Sequence, residues 1–141
     1  MVHQYLWDSG KGLFLVFNNK TQKKSSFIAA TTLIPLWSKM ASKEQAALLV
    51  KNALPLLKVA GGIAGSSQKS SREVPQDKPS RQWDYPNGWA PHQIMIWKGL
   101  LNYGYHKEAQ ELIYRWLFMI TKNAVDYNGT IPEKYDVVHS S

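Results

Sequence analysis

The feature that most constrains this 141-residue sequence is a long amphipathic stretch near its C-terminus. Between residues 107 and 123, large apolar side chains recur every three or four positions, which is the period of one face of an α-helix. These residues are Ala109, Leu112, Ile113, Trp116, Met119 and Ile120. A helix of this length has to bury its apolar face against other elements, so the sequence predicts a helical domain with a hydrophobic core.

Three more helices are expected upstream. The first covers about residues 29–40, and the second begins after Ser42, where Gln45 three residues later completes a capping box. Pro55 limits or kinks this second helix, whose apolar stripe is Ala46, Leu49, Val50 and Ala53. The third begins with Pro91 and ends near Gly104, and its predicted stripe is Ile94, Trp97, Leu100 and Leu101.

The remaining segments are predicted to be turns and loops. Residues 5–17 indicate a short hairpin, with Leu13, Leu15 and Phe17 alternating after a Gly-containing turn. Residues 61–80 are rich in Gly, Ser, Lys and Pro and predict a loop of about twenty residues, and residues 126–141 predict a final loop. The expected fold class is therefore all-α, with helical hairpins, long loops and one small β-hairpin.

Composition excludes several classes of protein and site. Apolar residues make up 44% of the chain and charged residues 19%, which is typical of a globular protein. There is no cysteine, and the four histidines lack the spacing of a zinc site, so no metal or cofactor is expected. The sequence contains no signal peptide pattern and no apolar run long enough to span a membrane, so no membrane association is expected.

The net charge of +7 does not by itself indicate a nucleic-acid partner. It comes from fourteen lysines and only three arginines, whereas specific phosphate and base recognition favours arginine. The only tight basic cluster is Lys20, Lys23 and Lys24, which we interpret as a solvated surface. A basic nucleic-acid binder stays an alternative that charge alone favours.

Residues 81–93 carry the chemistry that the rest of the sequence lacks. Two indoles, Trp83 and Trp89, surround the carboxylate of Asp84, several carboxamides and a Pro/Gly turn at the start of a predicted helix. Aromatic faces that pack on sugar rings, with Asp, Asn and Gln bonded to hydroxyls, are typical of a carbohydrate pocket. The alternative is a structural turn, in which the tryptophans belong to the core and the aspartate caps a helix.

These residues also carry a resemblance to a known family. QWDYPNGWAP, residues 82–91, resembles the second signature of trehalases. YGY at 103–105, YRWLFMITK at 114–122, VDYNG at 125–129 and EKYDV at 133–137 are similar to fungal neutral trehalases in the same order and at similar spacing. Upstream, the hairpin around residues 7–8 and residues 30–32 and 43–46 are similar in place and type. The resemblance covers essentially the whole chain.

The resemblance implies both a fold and a reaction. Trehalases fold as an (α/α)6 barrel and hydrolyse α,α-trehalose to two glucose molecules with inversion, which needs an acid and a base about 6.5–9.5 Å apart. By resemblance Glu133 is the general base, and Gln82, Trp83 and Asp84 line the substrate pocket. The family's acid is an aspartate in a Trp-Asp-Phe-Ser context, which is not found in this sequence. Asp8 also follows a tryptophan, but Trp7-Asp8 aligns with a hairpin that comes later in the family's sequence. The resemblance therefore does not make Asp8 the acid.

The resemblance further implies that residues 1–141 are a fragment of a trehalase catalytic domain. Six helical hairpins need on the order of 300 residues. The chain is expected to be the C-terminal portion of the catalytic domain, without the upstream acid segment and the final lid and helix. We expect an open arc of the barrel, with association through its exposed edges. The expected partner is trehalose, without nucleic acid or membrane, and the expected location is cytoplasmic. The alternative is a catalytically inactive remnant that at most binds sugar or an intact trehalase.

Overall fold

The computed structural model of the protein describes residues 2–75, 77 and 81–140. About half of the chain is helical, and the strands are two or three residues long. The helices are α1 (Val2–Leu6), α2 (Ile34–Trp37), α3 (Lys43–Asn52), α4 (Leu54–Leu57), α5 (Gln68–Arg72), α6 (Ala90–Asn102) and α7 (His106–Asp126), and a 3-10 helix (Ala30–Leu33) precedes α2. The strands are β1 (Trp7–Asp8), β2 (Leu13–Phe14), β3 (Phe17–Asn18), β4 (Lys23–Lys24), β5 (Lys58–Val59), β6 (Gly62–Ile63), β7 (Asn87–Trp89) and β8 (Lys134–Asp136).

The local signals for helix starts are confirmed. The Ser42 hydroxyl accepts a hydrogen bond from the Gln45 amide at 3.2 Å, and the Ser42 amide donates to Gln45 Oε1 at 2.9 Å, so the capping box begins α3. Pro55 lies in the first turn of α4, where its missing N–H is tolerated, and α3 ends before it at Asn52. The helix expected over residues 29–40 is shorter, because a 3-10 turn occupies Ala30–Leu33 before α2.

The last two helices, α6 and α7, pack against each other. α7 is confirmed and extends beyond its predicted ends, and its buried residues include Ala109, Leu112, Trp116 and Met119. α6 packs against both α7 and α2. Gly99 permits the close contact with α2, because a Cβ at this position would lie 2.8 Å from Leu36 Cβ and from the Trp37 amide nitrogen.

The predicted stripe of α6 is wrong at two positions. Ile94 and Leu101 are 47% and 42% exposed, whereas Gln93 and Ile96 are fully buried. The buried face of α6 is rotated toward Gln93 because the backbone of β6 satisfies both ends of its side-chain amide. Hydrophobicity alone cannot show that a polar residue belongs to the core when its partners come from a distant segment.

Four antiparallel strand pairs accompany the helices in the described part of the chain, where the sequence predicted one hairpin. The predicted hairpin is confirmed as β1–β2, in which Trp7 pairs with Phe14. Its expected alternation is not found, because Leu13, Phe14 and Leu15 are all buried. Elements cover both sides of this strand. The His3 ring from α1 lies 5.7 Å from the Phe14 ring, and α3 packs on β2.

The loop predicted for residues 61–80 is interrupted by two regular elements, β6 and α5. Residues 61–67 are buried without interruption and contain β6, and the Ser67 side chain caps α5. Residues 76 and 78–80 lie outside the described residues. Small side chains let this segment pass between other elements. At Gly61, for example, a Cβ would lie 2.5 Å from Met119 Sδ. The final predicted loop likewise contains a strand, β8.

The predicted basic cluster lies mostly at the surface. Of the basic cluster, Lys20 and Lys23 are exposed and Lys24 is half-buried, on the β3–β4 hairpin. None of the helices within residues 2–75 and 81–140 has both the length and the apolar character that a membrane crossing requires.

Candidate active site

The strand pair β7–β8 brings the two most informative sequence motifs together. Asn87 pairs with Asp136, Gly88 with Tyr135 and Trp89 with Lys134. β7 lies within the 82–91 motif, and β8 begins immediately after Glu133. Two segments that are distant in sequence are therefore held side by side by backbone hydrogen bonds, and the register of this ladder fixes the position of Glu133.

The buried segment of residues 61–67 packs against this strand pair and is hydrogen-bonded to it. The Gly61 amide donates to the Val137 carbonyl at 2.7 Å, and the Gly65 amide donates to the Asn87 carbonyl at 2.7 Å. A Cβ at Gly65 would lie only 1.5 Å from the carbonyl oxygen of Trp83. Only glycine fits between these backbones, so Gly65 fixes how closely the Trp83 turn approaches the core.

Gln93 attaches this buried segment to α6. Its Oε1 accepts from the Ile63 amide at 2.9 Å, and its Nε2 donates to the Ile63 carbonyl at 2.6 Å. The fully buried side chain of Gln93 therefore makes the two backbone hydrogen bonds at Ile63 that a neighbouring strand would otherwise make. For Gln93, this corrects the expectation that the carboxamides of residues 81–93 bind sugar hydroxyls, whereas Gln82 lines the cavity. Gln93 is structural, and Asn87 faces a neighbouring surface depression.

Hydrogen bonds also define the turn that carries Trp83. The Asp84 amide donates to the Arg81 carbonyl at 3.0 Å, and the Asn87 amide donates to the Asp84 carbonyl at 2.9 Å. The Tyr85 amide donates to the Ser66 hydroxyl at 2.9 Å. Hydrogen bonds within the turn and to the buried segment therefore fix the backbone of the turn.

All four predicted site residues line one cavity of about 420 Å³: Gln82, Trp83, Asp84 and Glu133. Trp83 is 47% exposed and therefore does not belong to the core. The N-cap residue of α6 is Trp89, not Asp84. The interpretation of this segment as a purely structural turn, with core indoles and a capping aspartate, thus does not describe the structure.

Asp84 and Glu133 are the carboxyl groups on the cavity wall. Burial raises the pKa of Asp84 above its ordinary value, and the positive charge of Arg81 partly opposes this rise. Glu133 and Lys134 are both exposed, and no ion pair joins them among the residues that the structure describes. Asp8 lies elsewhere, where its Oδ1 accepts from the Lys11 amide at 3.0 Å in the β1–β2 turn.

Other segments contribute cavity residues that were not predicted as site residues. Among the described residues, these are Val16, Phe27, Ala29, Thr31, Gly65, Arg81, Trp89, His92 and Lys134. Val16 and Phe27 flank the β3–β4 hairpin, and no local pattern in the sequence marks them. Arg81, Trp89 and His92 lie within residues 81–93, which the sequence had marked as the carrier of the chemistry. In the part of the chain that the structure describes, no three His, Asp or Glu side chains are placed to hold a metal ion.

Comparisons with known proteins indicate a single family over the whole chain. The family model described as Trehalase matches residues 1–141. The chain belongs to the trehalase family. The chain is 49% identical over 140 residues to a cytosolic neutral trehalase from Kluyveromyces lactis, and 49% identical over 140 residues to a probable trehalase from Saccharomyces cerevisiae. These alignments cover 99% of this chain but only 19% and 18% of those proteins.

Two solved structures have a similar backbone fold. The structure is similar to that of the neutral trehalase Nth1 from Saccharomyces cerevisiae, with a TM-score of 0.90 and 48% identity over 96% of this chain and 25% of that chain. A GH63 mannosylglycerate hydrolase from Thermus thermophilus matches with a TM-score of 0.75 and 20% identity over 96% of this chain and 30% of that chain, which shows a shared fold only. The predicted class, an arc of a helical toroid, is confirmed. No closed barrel is formed by the described residues.

Proposed function

We propose that this chain supplies the general-base side of an inverting trehalase active site, with Glu133 as the base. The observation that carries the proposal is that Glu133 lies in the same cavity as Gln82, Trp83 and Asp84. The substrate would be α,α-trehalose and the products two glucose molecules. Relatives from Kluyveromyces lactis and Saccharomyces cerevisiae are named cytosolic neutral trehalases, and we propose a cytoplasmic location for this chain as well.

The proposed reaction uses Glu133 to activate water. Its carboxylate takes a proton from a water molecule while the water oxygen attacks the anomeric carbon, and the bond from that carbon to the glycosidic oxygen breaks. The glycosidic oxygen receives a proton from an acid on the opposite side of the sugar. The indole of Trp83 would pack on the C–H face of a glucose ring, and Asp84 and Gln82 would hydrogen-bond its hydroxyls.

We further propose that the acid comes from a part of a trehalase catalytic domain outside this sequence. The chain would then be the C-terminal portion of that domain, without the acid segment and the final lid and helix. The structure of this chain matches only 25% of the yeast neutral trehalase chain, which agrees with a partial catalytic domain. Asp84 would not replace the acid, because we assign it to binding substrate hydroxyls.

An exposed apolar face on α7 supports this incompleteness. Tyr114, Leu117 and Phe118 are 68%, 49% and 59% exposed, and the rings of Tyr114 and Phe118 stack with centroids 5.9 Å apart. We propose that the helices of a trehalase catalytic fold that are outside this chain cover this face. Addition of a polypeptide with those helices should give a stable complex, and Leu117→Lys should weaken it. Equal binding by the variant would contradict this assignment.

The alternative function is a catalytically inactive remnant that at most binds sugar or an intact trehalase. Glucose release from trehalose separates the two. The isolated chain is expected to give negligible turnover, and addition of a segment with the acid should produce turnover that Glu133→Gln abolishes. Glycosidase-like turnover by the isolated chain would contradict the missing acid, and an active Glu133→Gln variant would contradict the assigned base. Binding of a polynucleotide with a steep salt dependence would instead favour the nucleic-acid alternative.

A further inference from the structure

His92 is a cavity residue with an unusual hydrogen-bonding situation. It lies in the first turn of α6 and lines the cavity together with Asp84, Trp89 and Glu133. The Nδ1 atom of His92 is buried and has no hydrogen-bond partner among the described residues. A buried, unpaired polar atom in a residue that lines the cavity and has no assigned role points to a functional constraint on the ring.

The position of the imidazole ring is fixed by its surroundings. The ring lies edge-on to the indole of Trp89, with centroids 5.6 Å apart and planes at 85°. It belongs to a thirteen-residue helix that packs against both α2 and α7. A side chain held by an aromatic contact on a packed helix needs little reorganisation to meet a ligand.

The neutral form of this ring is favoured. Burial lowers the pKa of His92 below its ordinary value. The N-terminus of α6 also disfavours a positive charge in the first turn of the helix. Arg81 and Lys134 lie on the cavity wall and add positive charge there, whereas Asp84 and Glu133 add negative charge. A neutral imidazole has one N–H donor and one bare nitrogen acceptor.

The buried Nδ1 indicates which nitrogen carries the proton. Buried N–H groups without an acceptor are rare in proteins, whereas acceptors without a donor are tolerated more often. The tautomer with the proton on Nε2 therefore leaves the less costly group unpaired at Nδ1. In this tautomer, Nε2–H is the donor that the ring offers to a ligand.

We propose that His92 is a further substrate-binding residue, which donates its Nε2–H to a hydroxyl oxygen of the sugar bound beside Trp83. The proposal rests on the proposed function, because it assumes that a sugar occupies this cavity. It adds a neutral donor to a wall whose other polar groups are mostly charged. Because the imidazole is neutral, its hydrogen bond to a sugar hydroxyl does not depend on whether the nearby carboxyl groups are ionised.

The tautomer can be tested without any sugar. Long-range proton–nitrogen NMR spectra of the 15N-labelled chain report the protonation of each ring nitrogen. At neutral pH, the His92 ring is expected to be neutral with its proton on Nε2. A proton on Nδ1, or a charged ring, would overturn the proposal, whatever the chain does with trehalose.

Binding is tested with trehalose and a pair of variants. The amide of glutamine reaches about as far as Nε2 of histidine, whereas that of asparagine reaches only about as far as Nδ1. His92→Gln should bind trehalose within about twofold of the original chain, and His92→Asn about tenfold more weakly, as expected for loss of one hydrogen bond. His106→Asn, at the exposed first position of α7, is the matched control and should bind unchanged.

The outcomes separate this inference from the proposed function. Trehalose that shifts the resonances of Trp83 but not those of His92 would overturn the role of His92 and leave the proposed site intact. Equal losses in both folded His92 variants would mean that the ring only packs against Trp89, and would also overturn it. If trehalose shifts neither residue, the sugar site itself is absent from this chain and both proposals fail.

Discussion

Trp89 and Lys134 lie directly opposite each other in the β7–β8 ladder, and this pairing places Glu133 at the wall of the cavity. Glu133 precedes β8 by one residue and makes no side-chain hydrogen bond within the described structure that could position it. Its location therefore depends on the register of the strand pair. A slip of one residue would turn the side chains of β8 to the opposite face and disconnect Glu133 from Trp83.

The close approach of the Trp83 turn to the core predicts a strong effect of Gly65→Ala. The added Cβ would collide with the backbone carbonyl of Trp83 and cannot be accommodated by rotation of a side chain. We expect a loss in the free energy of unfolding toward the upper end of the about 1–3 kcal/mol typical of overpacking. Urea denaturation measures it. Gly10→Ala, where the nearest atom is Asp8 Oδ1 at 3.5 Å, is the matched control and should change stability little.

The two hydrogen bonds between Gln93 and Ile63 predict that a side chain of similar size without the amide destabilises the fold. Gln93→Met would leave the buried amide and carbonyl of Ile63 without their partners. Two unsatisfied buried groups should lower the free energy of unfolding by about 2–5 kcal/mol and speed hydrogen exchange of the Ile63 amide. The same change at the exposed Gln110 should have almost no effect. A Gln93→Met chain as stable as the original would show that water or another residue satisfies Ile63.

The raised pKa of Asp84 predicts how stability varies with pH. Because burial favours the protonated form in the folded chain, the contribution of this carboxyl is fully present below its unfolded pKa. It is lost as the pH rises through its folded pKa. Asp84→Asn should therefore gain stability relative to the original chain between about pH 4 and neutrality. Urea denaturation over this range provides the measurement, and a difference that is constant with pH would be inconsistent with the burial of Asp84.

The ion pairs of Glu111 predict the opposite dependence. Its carboxylate binds Lys58 Nζ at 2.9 Å and Arg115 Nη2 at 2.8 Å, and hydrogen bonds from these two residues lower the pKa of Glu111. A lowered pKa contributes stability above the unfolded value, and this contribution is lost as the pH falls through the folded pKa. Because the groups are a third or more exposed, Glu111→Gln should cost at most about 1 kcal/mol at neutral pH. Thermal unfolding curves of the two chains should converge in acid, and a gap that persists there would count against the ion pairs.

Local patterns determined much of the fold. The 3.6-residue period predicted α7, and the spacing of Ser42 and Gln45 predicted the start of α3, because both signals act within a few residues of one another. The resemblance of residues 82–91 and 133–137 to trehalases indicated the family from the amino-acid sequence alone, and the comparisons show it. The cavity residues inferred from that resemblance do lie together, whereas their roles in binding and catalysis stay predictions.

Tertiary structure decided the rest. The sequence predicted a loop for residues 61–80, yet its first residues are the buried support of the site, because small side chains fit where two backbones nearly touch. Gln93 looked like a ligand for sugar and is a core residue, since its partners lie on a strand thirty positions earlier in the chain. Val16 and Phe27 joined the cavity through packing between distant segments. Such contacts depend on which segments meet in space, and no pattern within one segment contains that information.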